Sequence, residues 1–164
     1  MEYLDLYDKN RKFTGKKILR GSGKPEKGEF INLVIIFIKN DEDKFLIQKT
    51  SKEKGSIWAT TGGHVKSGQT SYEAILAEVD EELGLDISKE DVKMIDSYIF
   101  GVAFMDVYYL NKDINISDLK LQVDEVESVE WFTIDRIKEL INEGKVRKGN
   151  IKAFESILNY LKNN

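Results

Sequence analysis

The sequence contains no cysteine, one proline and one histidine. Without cysteine the chain can build neither a disulfide scaffold nor a thiolate metal site, and it has no thiol nucleophile. Its longest apolar run, residues 33–38, is far too short to cross a bilayer, and charged residues follow Met1 too closely for a secretory signal peptide. Any chemistry must therefore come from oxygen and nitrogen groups, and we expect a cytoplasmic protein.

Neither sign of charge dominates the composition, because 25 Lys and Arg residues stand against 29 Asp and Glu residues, for a net charge of −4. This balance gives no general attraction to nucleic acid or to anionic lipid, so we expect a small-molecule partner, no nucleic acid and no membrane. A chain of 164 residues with 41% hydrophobic composition can bury a sizeable core. We predict a single domain over residues 1–164, with a homodimer left open.

Acidic residues are concentrated near the end of the segment 62–85, which reads GGHVKSGQTSYEAILAEVDEELGL. Glu78, Glu81 and Glu82 are spaced i, i+3 and i+4, so in a helix all three lie within an arc of roughly 100° on one face. Three carboxylates this close repel one another unless a cation lies between them. The alternative is a solvated acidic face on an ordinary surface helix.

The ends of this predicted helix carry recognisable signals. Thr70 followed by Glu73 fits a capping box, and Gly84 fits the glycine that ends a helix. The face opposite the carboxylates carries an apolar stripe of the kind that packs onto a sheet: Tyr72, Ile75, Leu76, Val79 and Leu83.

Glycines before the helix add a second element to the acidic cluster. Gly62, Gly63 and Gly68 bracket a tight loop in which the backbone can approach a ligand and carbonyl oxygens can point inward. Carboxylates together with a carbonyl oxygen are typical ligands of a hard cation such as Mg²⁺, with Mn²⁺ as the other possibility. Such an ion neutralises a diphosphate and activates water, which favours hydrolysis of a phosphoanhydride.

The same residues resemble the Nudix hydrolases, whose motif is G-x5-E-x7-R-E-U-x-E-E-x-G-U with U aliphatic. In this sequence Gly63 opens the motif, Glu78 is the first helix glutamate, Glu81 and Glu82 are the pair, and Gly84 begins the close. The resemblance implies an α/β/α sandwich with a mixed β-sheet. It also implies a nucleotide pyrophosphohydrolase that cleaves a nucleoside diphosphate linked to another moiety.

The resemblance further implies a set of site residues. The metal ligands would be Glu78, Glu81, Glu82 and the carbonyl of Gly63. A glutamate from a distant loop often completes the site or acts as the base in this family, and Glu125 is the first candidate. Glu127 is the reserve, and charged residues flanking an exposed strand end are an equally good interpretation of both.

Three other residues are candidates for contact with the substrate. Lys49 precedes the glycine loop and could bind phosphate. Trp58 is either a wall of the site or a core residue, with the core favoured. His64 directly follows the glycine pair and could contact phosphate or transfer a proton, although a solvent-facing loop position is the simpler interpretation.

Two departures from the motif define the rival hypothesis. Gln69 stands where the family has glutamate, and Ala77 stands where it has an arginine expected to hold the first glutamate in place. A catalytically weakened domain that binds a nucleotide or a partner is therefore the alternative to a hydrolase. The opening segment 2–16 loosely resembles a Nudix subgroup related to isopentenyl-diphosphate isomerase, but isomerase chemistry needs a cysteine and several histidines.

Hydrophobic patterning predicts the remaining elements as an α/β protein. The run 31–38 predicts a central strand buried on both faces, and residues 44–49 predict its hairpin partner. A helix is expected to begin after Thr133 or Asp135 and to end at Gly144. The other predicted elements are a basic hairpin (4–7 and 13–19, with a bulge at Gly15), strands 92–100, 102–110 and 126–132, and a C-terminal helix.

Overall fold

The computed structural model describes all 164 residues, and its regular elements include nine strands and three α-helices. The helices are α1 (Ser71–Leu83), α2 (Ile134–Asn142) and α3 (Lys148–Asn163). The strands are β1 (Tyr3–Tyr7), β2 (Phe13–Leu19), β3 (Ile31–Lys39), β4 (Lys44–Thr50), β5 (Trp58–Ala59), β6 (Gly62–His64), β7 (Lys93–Phe100), β8 (Ala103–Asn111) and β9 (Val126–Thr133).

Seven of the strands form one mixed sheet around β3. Strands β5, β4, β3, β8 and β7 follow one another across it, while β6 pairs with β3 and β9 pairs with β4. β3 runs parallel to β8 over its whole length, and β7 is antiparallel to β8. As the apolar run predicted, β3 is almost entirely buried. The prediction of a mixed sheet is confirmed.

Helices cover both faces of this sheet. Ile75, Val79 and Leu83 of α1 pack with the residues of one core cluster. Ile137 of α2 and Phe154 of α3 belong to a second cluster on the other face. The α/β/α sandwich is therefore confirmed. None of the three helices combines the length and the hydropathy that a bilayer span requires.

The expected hairpin of β3 and β4 exists only at its base. The two strands pair through Lys39 and Phe45 and then diverge, and the segment around β6 occupies the free edge of β3. There Ile36 N–H donates to the carbonyl of Thr61 at 2.9 Å. An added Cβ at Gly62 would lie 2.5 Å from the carbonyl oxygen of Val34, so the close approach of these backbones needs glycine. The glycine pair thereby lies inside the sheet instead of in a surface loop.

An ion pair attaches the N-terminal hairpin β1–β2 to the main sheet. Arg11 donates to both carboxylate oxygens of Asp106 at 2.8 and 2.7 Å, and Ser97 Oγ donates to the same carboxylate at 2.7 Å. The Asp106 side chain is only 2% exposed. The hairpin bends at its predicted bulge, where the register shifts and Gly15 has φ of +85°. Arg11 is thus a docking residue and not part of a solvated edge.

Candidate active site

The caps of α1 fix where its carboxylates point. Thr70 Oγ1 accepts from the backbone N–H of Glu73 at 3.1 Å, and the Glu73 carboxylate accepts from the N–H of Thr70 at 2.9 Å. Gly84 ends the helix with φ of +64°. The predicted apolar face packs onto the sheet except at Tyr72, which is 39% exposed, and Ala74, which was not part of the predicted face, is buried. The opposite side faces the glycine pair.

A cavity of about 220 Å³ lies between α1 and β6, and no hydrophobic residue lines it. It brings together the predicted metal ligands Gly63, Glu78, Glu81 and Glu82 with the predicted base Glu125. We call it the acidic cavity. Its other lining residues are Glu2, Arg20, Gly62, Lys66 and Gln122.

Two of the three helix glutamates are held firmly in this cavity. Glu82 is 8% exposed and accepts a hydrogen bond from Gln48 Nε2 at 2.7 Å, and Gln48 Oε1 in turn accepts from Thr61 Oγ1 at 2.8 Å. Glu78 lies directly on Gly63, since an added Cβ there would be 2.5 Å from its carboxylate. The spacing of the motif thus corresponds to a direct contact between Gly63 and Glu78.

The electrostatics of this pair favour either a proton or a cation between them. Burial, together with a hydrogen bond to Glu82 and the charges of Glu82 and Glu81, raises the pKa of Glu78 to about 8. Burial also raises the pKa of Glu82, although hydrogen bonds from Glu78 and Gln48 oppose the shift. Without a cation, the raised pKa values favour a proton that the two carboxyl groups share.

Glu81 is turned toward a chain of charges at the edge of the cavity. Its carboxylate lies 3.7 Å from Lys66 Nζ, Lys66 lies 3.1 Å from Glu2, and Glu2 lies 2.6 Å from Arg20. As a result, no three His, Asp or Glu side chains form a ready-made ion cage. The Glu81 side chain is 48% exposed, so it is free to rotate toward the other two.

The residues of the acidic cavity nevertheless fit a hard divalent cation. The donor set contains only oxygen, and a positive ion can take the place of the proton between Glu78 and Glu82. The space above Gly63 that a Cβ would fill is taken by the Glu78 carboxylate itself. Glu78, Glu82, the Gly63 carbonyl and, after rotation, Glu81 are the groups that would hold such an ion.

The structure separates the two candidates for the distant glutamate. Glu125 lines the acidic cavity and lies close to Glu82. Burial is the main cause of the raised pKa of Glu82, and the negative charge of Glu125 raises it further. Glu127 lines a different cavity; each of the two glutamates pairs with a lysine at 3.6 Å, Glu125 with Lys54 and Glu127 with Lys49. Only Glu125 is therefore placed to act on a group bound in this cavity.

Lys49 and Trp58 do not reach the acidic cavity. They line a separate cavity of about 380 Å³ beside Gly144, where Lys49 Nζ lies 5.9 Å from the centre of the Trp58 ring. Trp58 packs edge-on against Phe132 at 4.9 Å, in agreement with the favoured interpretation as a core residue. The suggested contacts of Lys49 and Trp58 with the substrate stay predictions.

His64 is not the solvent-facing loop residue that the sequence suggested. It lies on β6 opposite Leu33, half-buried, and burial lowers its pKa. It lines a cavity of about 540 Å³ that shares Gly62 and Gly63 with the acidic cavity. We call this the ring cavity. Arg147 and Lys148, at the start of α3, line it as well.

Sequence reasoning missed several residues at the site. Gln48 and Arg147 belong to no motif, and only the fold brings them near Glu82. Lys66 lies within the motif segment, so its position could have suggested a role. Gln69 is occupied in closing the turn before α1, where its Oε1 accepts from the N–H of Lys66 at 3.0 Å, and it lines neither cavity.

A pair of glycine variants tests the contact between Gly63 and Glu78. Gly63→Ala should displace the Glu78 carboxylate, because that side chain can rotate, and should weaken divalent-cation binding about tenfold while leaving the melting temperature nearly unchanged. Gly62→Ala should instead lower the melting temperature strongly, since its clash is with the backbone of β3. Calorimetric titration with Mn²⁺ and thermal denaturation measure both effects. Equal losses of stability in the two variants would contradict the contact.

The fold and the site define an α/β/α sandwich protein with a candidate cation site at a glycine strand. The family model described as the NUDIX domain matches residues 30–154. The chain is 36% identical over 149 residues to an uncharacterized Nudix hydrolase of Listeria innocua, and the match covers 88% of each chain. The chain therefore belongs to the Nudix family, and its assignment as a pyrophosphohydrolase enzyme is confirmed.

Solved structures show the same fold. A protein of Deinococcus radiodurans has a TM-score of 0.80 at 25% identity, covering 94% of this chain and 97% of its own. The NUDIX domain of Shewanella oneidensis NrtR, complexed with ADP ribose, has a TM-score of 0.65 at 12% identity, covering 88% of this chain and 94% of its own. Nudix hydrolases generally use divalent metal ions, so a cation in the acidic cavity agrees with the family.

Proposed function

We propose that this chain is an Mg²⁺-dependent hydrolase of the phosphoanhydride bond in a nucleoside diphosphate linked to another moiety. One observation carries the proposal: the strand Gly62–Gly63 forms a common wall of the acidic cavity and the larger ring cavity. A diphosphate lying along this strand has carboxylates for a cation on one side and room for an organic group on the other.

The chemistry follows from the residues around that wall. When bound, the divalent ion neutralises the diphosphate and lowers the pKa of the attacking water. Glu78 and Glu82 would hold the ion, and Gln48 fixes the orientation of Glu82. The Glu125 carboxylate would accept the proton of the attacking water, and Arg147 would balance charge on the phosphate side. The products are a nucleotide and a phosphorylated remainder.

The relatives support this class of substrate without fixing the compound. One structural neighbour contains ADP ribose, and another, at 14% identity and a TM-score of 0.60, is an Ap4A hydrolase of Caenorhabditis elegans. ADP ribose is a nucleoside diphosphate linked to another moiety, which is the class of substrate proposed for this chain. A cytoplasmic location, a single domain and a homodimer stay predictions from the sequence.

A weakened domain that binds a nucleotide or a partner is the second candidate function. It is favoured by Ala77, which leaves Glu78 without an arginine on the same helix, and by the pairing of Glu81 with Lys66. Under this hypothesis the acidic cavity would bind a cation and a nucleotide without turnover. Restoring Gln69→Glu with Ala77→Arg should then create activity, whereas in a working enzyme it should only raise the rate.

A substrate panel distinguishes these functions. Nucleoside triphosphates, dinucleoside polyphosphates and nucleotide sugars are incubated with Mg²⁺ and wild type, Glu81→Gln/Glu82→Gln, Glu125→Gln or the control Glu127→Gln. We expect turnover of at least one diphosphate-linked compound, and a loss of about 100-fold or more in the double variant and in Glu125→Gln. Glu127→Gln should match wild type. If no compound turns over faster with wild type than with the double variant, the hydrolase proposal fails.

A further inference from the structure

The ring cavity adjoins the acidic cavity and is the larger of the two. It lies between β3, β6, the end of β7 and the first turn of α3. Apolar side chains form much of its wall, and Phe100, which is 37% exposed, supplies the only aromatic ring other than His64. The full set of lining residues is Leu33, Val34, Ile35, Thr60, Gly62, Gly63, His64, Phe100, Met105, Arg147, Lys148, Gly149 and Asn150.

Two buried polar atoms of this cavity have no hydrogen-bond partner. Asn150 is 4% exposed and its Nδ2 donates to nothing, and Nδ1 of His64 is likewise unpaired. An unpaired buried polar group costs about 1–3 kcal/mol, so such groups are rare and need an explanation. The two residues that carry these atoms come from different elements, α3 and β6, and both line the ring cavity. A ligand that pairs with both would remove the cost.

The shape and polarity of the cavity indicate which part of a substrate it takes. A sugar has hydroxyl groups all round its ring and would need many polar partners. Most of the surface that the cavity exposes is apolar, which suits the two faces of a flat ring better than a ring of hydroxyl groups. The edge of such a ring presents carbonyl and ring-nitrogen acceptors of the kind that an unpaired amide N–H requires. A nucleobase has all of these properties.

We propose that the ring cavity binds the nucleobase of the substrate, with Asn150 Nδ2 donating to a ring acceptor and His64 Nδ1 making a second polar contact at the base edge. This inference rests on the proposed function, because the phosphate chain must then pass Arg147 and Gly62–Gly63 to reach the acidic cavity. Asn150 is thus a specificity-determining residue for the base, and it acts independently of the cation.

Binding of uncharged nucleosides tests the base pocket without any turnover. Adenosine, guanosine, cytidine and uridine are titrated into the protein in EDTA and followed by protein-observed NMR. We expect at least one nucleoside to bind, with Asn150→Leu weakening it about tenfold or more. Asn159→Leu, at an exposed position of the same helix, is the matched control and should bind like wild type. Asn150→Asp, which exchanges the donor for an acceptor, should change the order of preference among the four nucleosides.

Thermal stability distinguishes a binding role from a structural one. Leucine keeps the branching of asparagine at Cγ and removes the unpaired donor, so Asn150→Leu should keep or raise the melting temperature while losing nucleoside affinity. A lowered melting temperature with unchanged affinity would overturn the proposal, as would the absence of nucleoside binding to wild type. Failure of the hydrolase proposal has a different signature: nucleosides bind and respond to Asn150 variants, but no diphosphate compound is hydrolysed.

Discussion

Replacing Arg11 by methionine should lower the free energy of unfolding by about 3–5 kcal/mol, because the change leaves the carboxylate of Asp106 buried and without its ion partner. Methionine retains the unbranched stem but cannot donate a hydrogen bond. Burial alone would raise the pKa of Asp106, yet the hydrogen bonds from Arg11, Ser71 and Ser97 outweigh it and hold that pKa below its ordinary value. Urea denaturation at neutral pH measures the loss.

A double variant separates the ion pair from the packing around it. Asp106→Asn combined with Arg11→Met removes both charges, and asparagine Oδ1 can still accept from Ser97, so most of the lost stability should return. Because the pKa of Asp106 is lower in the folded protein than its ordinary value of 3.8, the ionised carboxylate stabilises the fold above pH 3.8. This stabilisation is lost as the pH falls through the folded-state pKa. The difference between wild type and Arg11→Met should therefore shrink in acid. A difference that is constant with pH would show that the pair contributes only through packing.

Raising the pH should destabilise the cation-free protein through Glu78. The pKa of this group is about 8 in the folded chain against 4.5 as the ordinary value, so the folded state binds the proton more tightly. The stability that this proton provides is complete below pH 4.5 and is lost as pH rises toward 8. The shift corresponds to at most about 5 kcal/mol, and solvent screening of a half-buried carboxyl reduces the expected loss to about 2 kcal/mol.

Glu78→Gln isolates this contribution from all other titrations. Unfolding free energies are measured in EDTA between pH 5 and pH 9 for wild type and for the variant, and wild type should lose more stability over this range. At pH 9, bound Mg²⁺ should raise the unfolding free energy of wild type, because it binds the folded state only. It should change the unfolding free energy of the variant little. Parallel pH profiles for the two proteins in EDTA would mean that Glu78 is not held in the environment that the structure shows.

Local sequence signals predicted the parts of the fold that depend on neighbouring residues. Helix α1 begins after Thr70 and ends at Gly84 because the capping groups lie within three or four residues of the backbone groups that they satisfy. The buried strand β3 was equally predictable, since an unbroken apolar run of this length indicates a strand covered on both faces. The spacing of the motif likewise predicted that Gly63, Glu78 and Glu82 lie together, as they do in the acidic cavity.

Contacts between distant segments were not predictable from those signals. Gln48 and Glu82 are 34 residues apart, and Arg11 and Asp106 are 95 apart. The divergence of β3 from β4 depends on β6 and β9 arriving from elsewhere in the chain, which no local pattern encodes. For the same reason sequence could not decide between Glu125 and Glu127, which are two residues apart but face different cavities.

The most direct test of the account is the affinity of the acidic cavity for a divalent cation. Mn²⁺ is titrated into wild type, Glu82→Gln and the control Glu127→Gln at constant pH, with free ion followed by electron paramagnetic resonance. We predict that wild type and Glu127→Gln bind Mn²⁺ equally and that Glu82→Gln binds it at least about tenfold more weakly, because it loses a buried carboxylate ligand. Equal affinity in all three proteins would contradict the assignment of this cavity as the metal site.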